Sequence, residues 1–215
     1  MGLDMYLHAE RAFAPEDPKL QGILDAAQVD IQTLILMSKK DPAQEETYVY
    51  LSHWDYQRKE ETKGKARYDQ AMRVLRLAGL GKFTNSDSGG GALYWKDGKV
   101  WVQTDCAYWR KANQIHGWFV DNVQDGVDEC QETPVSRDQL RQLLAACKRV
   151  LKHLERGAMN DGALELPPQE GFFFGSTDVD EWYKRDIQHT IRAIRKVLGL
   201  AKNQRDVHFS YRSSW

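Results

Sequence analysis

Leu3, Met5 and Leu7 alternate with Asp4, Tyr6 and His8, a period of two that predicts a strand over residues 3–8. From Pro18 to Lys40 the spacing turns helical, through Leu20, Ile23, Leu24, Ala27, Ile31, Leu34 and Ile35. Pro15, Pro18 and Pro42 bracket that segment as breakers. Aromatic and β-branched residues at Tyr48–Tyr56 predict a second strand. A charged connection over Glu60–Lys65 leads into a helix near Lys65–Leu77, with Tyr68, Ala71, Met72 and Leu75 on one face and Gly79 and Gly81 ending it. Thr84–Gly91 is a glycine-dense loop. The run ALYWKDGKVWVQT then predicts a β-hairpin turning at Lys96–Lys99.

The stretch YWRKANQIHGWFV, Tyr108–Val120, has helical spacing. At 100° per residue Tyr108, Ala112, Ile115 and Phe119 share one face and predict core. Trp109, Asn113, His116 and Val120 form a shoulder beside it, with Arg110 and Gln114 further round and Lys111 and Trp118 farther still. Ser136 is placed to cap a following helix that runs to about Arg156, with Leu140, Leu143, Leu144, Cys147, Val150, Leu151 and Leu154 inward. After a loop over Gly157–Gly171, the run GFFFGSTDVDEWY sends three phenylalanines toward the core and leads into a last helix ending at Leu200. Asp178 with Glu181 forms a relative of the capping box, and Thr177 is another candidate cap. Tyr183, Ile187, Thr190, Ile191, Ile194 and Leu198 form that helix's core face, with Trp182, Asp186 and His189 beside it. Val207, Phe209 and Tyr211 alternate as a closing strand able to pair with the first.

About five strands and five helices are thus expected. They do not alternate strictly, which points to an α+β fold: an antiparallel or mixed sheet packed by helices, as a single domain over residues 1–215.

Composition bounds the function. Hydrophobic residues make up 41% of the 215 residues, enough for a substantial core. Thirty Lys+Arg face 31 Asp+Glu, so there is no global basic field and generic nucleic-acid binding is disfavoured. Cys106, Cys130 and Cys147 lack the spacing of a disulfide framework or a zinc site, which suits a reducing cytoplasm. No apolar run approaches a membrane span and the N-terminus does not read as a secretory signal. P-loop, nucleophile-elbow, zinc-protease and deaminase patterns are absent, and no cofactor or metal is expected.

Two segments share the spacing W-x-K-x-[ND]-x-x-H: Trp109, Lys111, Asn113, His116 and Trp182, Lys184, Asp186, His189. If the two shoulders face each other they form a candidate ligand site. Trp109, Trp182 or Tyr183 would stack on a planar ring. Arg110 and Lys111 would hold phosphate, and Asn113 and Asp186 would read polar edges. His116 is the candidate general acid or base. The competing reading is structural: buried indoles need hydrogen-bond partners, and Asn, Asp and His supply them. Likewise Ser176, Thr177 and Asp178 read as a helix cap before they read as a phosphate or divalent-cation site.

The start GLDMYL, the segment YWRKANQIHGWFV with NVQDGVDEC after it, the segment GFFFGSTDVDEWY and the ending YRSSW together resemble an uncharacterised family of small bacteriophage and prophage proteins. These blocks cover about a third of the chain, from end to end. The stretch Ala14–Glu46 is longer than in compact members, which implies a helical insertion over residues 14–46. The resemblance brings no fold, activity or catalytic residue. It implies an accessory protein in the cytoplasm of a bacterial host, one that modulates host physiology or counters host defence, for instance by binding a signalling nucleotide or a host protein. Three functions follow: a binding protein for a small phosphorylated, nucleotide-like ligand; an inhibitor of a host protein; or, less favoured, a nucleotide- or phosphoester-processing enzyme using His116 with Asp4, Asp178 or Asp186.

Overall fold

A computed structural model describes residues 2–39, 48–51, 62–85, 90–157, 165–171 and 173–215. In chain order the elements are β1 (Asp4–Phe13), α1 (Leu20–Ala27), α2 (Ile31–Ser38), β2 (Val49–Leu51), α3 (Thr62–Leu77), β3 (Gly91–Lys96), β4 (Lys99–Arg110), α4 (Asn113–Val123), β5 (Thr133–Pro134), α5 (Arg137–Glu155), α6 (Glu181–Ala201) and β6 (His208–Ser214). The fold is α+β. Its six strands have the order β2-β3-β4-β1-β6-β5, and the β2–β3, β3–β4 and β5–β6 pairs are antiparallel. The first and last strands are neighbours, as their alternation allows. Among the described residues the strand count is six rather than five because the two-residue β5 is too short to leave a periodic signal.

The chain divides into two compact units, one of residues up to Leu7 with Ala107–Trp215, the other of His8–Cys106. In the second unit the hairpin forms as its sequence predicts. Lys96 pairs with Lys99 across Asp97 and Gly98, whose φ values of 52° and 74° are the left-handed pair that a two-residue turn requires. The helical segment 18–40 is two helices instead of one. Gln28 adopts φ 56° and closes α1, and Asp30 accepts a hydrogen bond from the Thr33 amide to start α2. β1 runs on to Phe13, past its alternating start, because His8, Ala9 and Glu10 are all buried. Glu10 is satisfied by the Tyr94 hydroxyl at 3.2 Å and the Gln103 amide at 2.9 Å. The 52–56 part of the second expected strand and most of the glycine-rich loop lie outside the described residues.

In the first unit α5 and α6 pack together. Leu140, Leu143, Cys147, Val150 and Leu154 of α5 are buried, as are Tyr183, Ile187, Thr190, Ile191 and Ile194 of α6. Val197, rather than Leu198, is the buried residue of the next turn. Ser136 caps α5 in a full capping box: it accepts from the Gln139 amide while the Gln139 side chain accepts from the Ser136 amide. Arg137 donates to the carbonyls of Ala201, Gln204 and Val207 and so satisfies the C-terminal end of α6. Tyr211 and Phe119 stack face to face at 3.9 Å in the core.

The stretch Tyr108–Val120 departs most from expectation. Tyr108, Trp109 and Arg110 are the end of β4, and the helix begins only at Asn113. Lys111 makes the turn in a left-handed conformation, φ 59°, and its amide donates to the Leu3 carbonyl at 2.8 Å. Trp109 therefore does not share a helical face with Asn113 and His116.

Candidate ligand cleft

Where β4 ends, Arg110 and Lys111 stand at the mouth of a cleft of about 330 Å³. Its other walls are Gln114 from α4, the segment holding Gly175, Ser176 and Asp178, and the first two turns of α6 with Asp180, Trp182, Tyr183 and Asp186. Five of the eight residues expected to bind a ligand converge here: Arg110, Lys111, Trp182, Tyr183 and Asp186.

The remaining three are structural. Asn113 is only 1% exposed. Its amide nitrogen donates to the carbonyls of Phe174 and Ser176, and its oxygen accepts from the Gln169 amide. It clamps the segment that forms one wall of the cleft. His116 is also 1% exposed, with Nδ1 at 2.8 Å from the Tyr211 hydroxyl and Nε2 at 3.0 Å from Asp128. The Phe174 ring meets it edge-on at 5.1 Å, and the Trp215 indole donates to the other oxygen of Asp128. A histidine so enclosed does not reach the cleft. Trp109 is buried and donates its indole N–H to Thr190 Oγ1 at 2.9 Å, while the Thr190 hydroxyl donates to the Asp186 carbonyl. The two shoulders do meet, but as packing: the Trp109 and His189 rings cross at 88°, and His189 Nε2 donates to the Tyr108 carbonyl.

The cations at the mouth are weakly engaged. The Lys111 ammonium has no hydrogen bond or ion pair to any described residue. Arg110 lies 3.9 Å from Asp4, whose carboxylate already accepts the Tyr108 hydroxyl at 2.5 Å. Burial, and then that hydrogen bond, push the Tyr108 hydroxyl up to about 12. Gly175 has φ 90°, and a Cβ there would sit 3.2 Å from the Lys111 Cβ, so only glycine lets this wall approach the lysine.

Two of the three carboxylates are committed internally. Asp180, rather than Asp178 or Thr177, caps α6 by accepting from the Trp182 and Tyr183 amides at 2.8 and 3.0 Å. Asp178 accepts the Ser176 hydroxyl at 2.8 Å. Neither is arranged for a cation. Asp186 is the exception. Its Oδ2 accepts from Gln114 Nε2 at 3.3 Å, and its other oxygen has no partner among the described residues. Burial pushes this carboxyl up to about 6, against the lowering effect of the Gln114 hydrogen bond. Trp182 is 69% exposed, with the Arg185 guanidinium 4.8 Å from its ring centre. Tyr183 is buried and donates its hydroxyl to the Leu166 carbonyl, so of the two aromatic residues only Trp182 offers an open ring. Phe173 and Phe174 of the GFFFG run are half-buried rather than core, and Phe172 lies outside the described residues.

Sequence reasoning missed Gln114. The helical spacing places it further round the helix beside Arg110, with no role in the site. No helix among the described residues is long and apolar enough to cross a membrane. Comparison with protein families, curated proteins and solved structures found no match to this chain.

Proposed function

We propose that this chain is a phage-type accessory protein that binds a small phosphorylated, nucleotide-like ligand in the cleft, sequestering a host signalling molecule to counter defence. The observation that carries the reading is the pairing, across one cleft, of two weakly engaged cations with an open indole and a desolvated carboxylate. Arg110 and Lys111 hold the phosphate, Trp182 stacks on the ring, and Asp186 with Gln114 takes its polar edge. The cleft volume sits at the lower end of the roughly 300–1,000 Å³ usual for small-molecule sites, which favours a ligand of mononucleotide size. Asp178, Asp180 and Asp186 also line it, so a phosphate monoester or diester suits the local charge better than a triphosphate.

A binding role needs no catalytic group, and the candidate for one, His116, is enclosed by Tyr211, Asp128 and Phe174. The host-protein reading draws on exposed Trp182 and, in the 14–46 segment, on Leu36. The test is a thermal-shift screen of the full chain against nucleoside mono- and diphosphates and phosphodiesters, with a Lys111→Ala/Trp182→Ala variant alongside. A rise in melting temperature for wild type that is lost in the variant supports the proposal. No shift with any compound refutes it, and capture of a host protein through the Trp182 surface would then favour the alternative.

A further inference from the structure

Resting on the reading of the cleft as a nucleotide site, we propose that its inner end selects a guanine-type ring, one presenting two adjacent N–H donors. Two side chains make that end. Among the described residues, the Asp186 carboxylate has one oxygen without a partner and one that takes only a long bond, 3.3 Å, from Gln114. Gln114 is itself buried, and neither its carboxamide oxygen nor its second N–H has another partner among the described residues.

A carboxylate is acceptor-only and can engage two donors side by side. Among the common bases, guanine alone offers two neighbouring donors on one edge, N1–H and N2–H, with the O6 acceptor beyond them. Asp186 meets the two donors, and the free N–H of Gln114 is available to O6. Adenine and cytosine offer one amino group beside a ring nitrogen lone pair, which faces the carboxylate unfavourably. Uracil offers one N–H between two carbonyls, both repelled by the same charge. The same cleft is lined by Arg110 and Lys111, the residues taken to hold the phosphate, and by Trp182.

A hydrogen bond to a charged group is worth enough to change affinity by roughly tenfold or more. Isothermal titration calorimetry of the full chain at pH 7.5 with GMP, AMP, CMP and UMP tests this, with Asp186→Asn as the variant and inorganic phosphate as the control. GMP is expected to bind at least about tenfold tighter than the other three. Asp186→Asn is expected to bring GMP down to the level of AMP, and lowering the pH to 5 is expected to weaken GMP more for wild type than for the variant, since the titration of the ligand's phosphate is common to both. Equal affinities for the four nucleotides, or a preference for another base, overturn the guanine selection and leave the nucleotide site standing. A GMP preference retained by Asp186→Asn overturns the role of Asp186. Binding of none of the four overturns the guanine selection, and the nucleotide reading falls with it only if the diphosphates and phosphodiesters of the thermal-shift screen also give no shift. The wild-type ranking decides the matter whether or not the variant folds.

Discussion

Asp186→Asn separates what the cleft does for stability from what it does for binding. The unfolded carboxyl titrates near 3.8, and burial raises it to about 6 in the folded protein, with Asp180 adding to the rise. The folded state therefore holds this proton more tightly than the unfolded chain does. The stability it contributes is complete below about pH 3.8 and is lost as pH rises through about 6. Above that range the ionised carboxylate costs up to about 3 kcal/mol, from about two pH units at ~1.4 kcal/mol each. Water in the cleft screens part of this, leaving about 1–2 kcal/mol. Asparagine keeps the shape and an acceptor for Gln114 while removing the charge. The variant should thus be more stable than wild type by about 1–2 kcal/mol at pH 7.5, with the advantage vanishing near pH 4. Urea unfolding followed by circular dichroism at both pH values measures it, and titrations common to the two proteins cancel in the difference. A variant less stable at pH 7.5, or an advantage unchanged at pH 4, would refute the reasoning.

Thr190→Val keeps the volume but leaves the buried Trp109 indole N–H without its acceptor, for a loss of about 1–3 kcal/mol that thermal unfolding will register. His116→Leu strands the Tyr211 hydroxyl and Asp128 and should cost about 2–4 kcal/mol. The protein that remains folded should bind ligand as wild type does, and a loss of binding with no loss of stability would return His116 to the site.

Local signals carried the parts of the fold that depend on local chemistry. The cap at Ser136 and the turn at Asp97-Gly98 are decided by a few neighbouring residues, and both formed as read. The junction at Lys111 could not be read that way. No glycine or proline marks it, and the strand end Tyr108–Arg110 happens to continue the 3.6-residue spacing of α4. That accident put Trp109 in phase with Asn113 and His116. Trp182, Tyr183 and Asp186 were legible because they lie within two turns of a real helix. The roles of Asn113 and His116 were not, since their partners lie as far as 63 and 95 residues along the chain.

Lys111 has a further consequence. It occupies a left-handed backbone conformation, which costs a lysine about 1 kcal/mol relative to glycine, and its charge meets no partner among the described residues. Asp186, across the cleft, is a carboxylate held where a neutral side chain would be more comfortable. A sequence optimised only to hold this backbone would place glycine at one position and a neutral residue at the other. Selecting variants for heat resistance alone would therefore drift toward a sturdier protein with an emptied cleft.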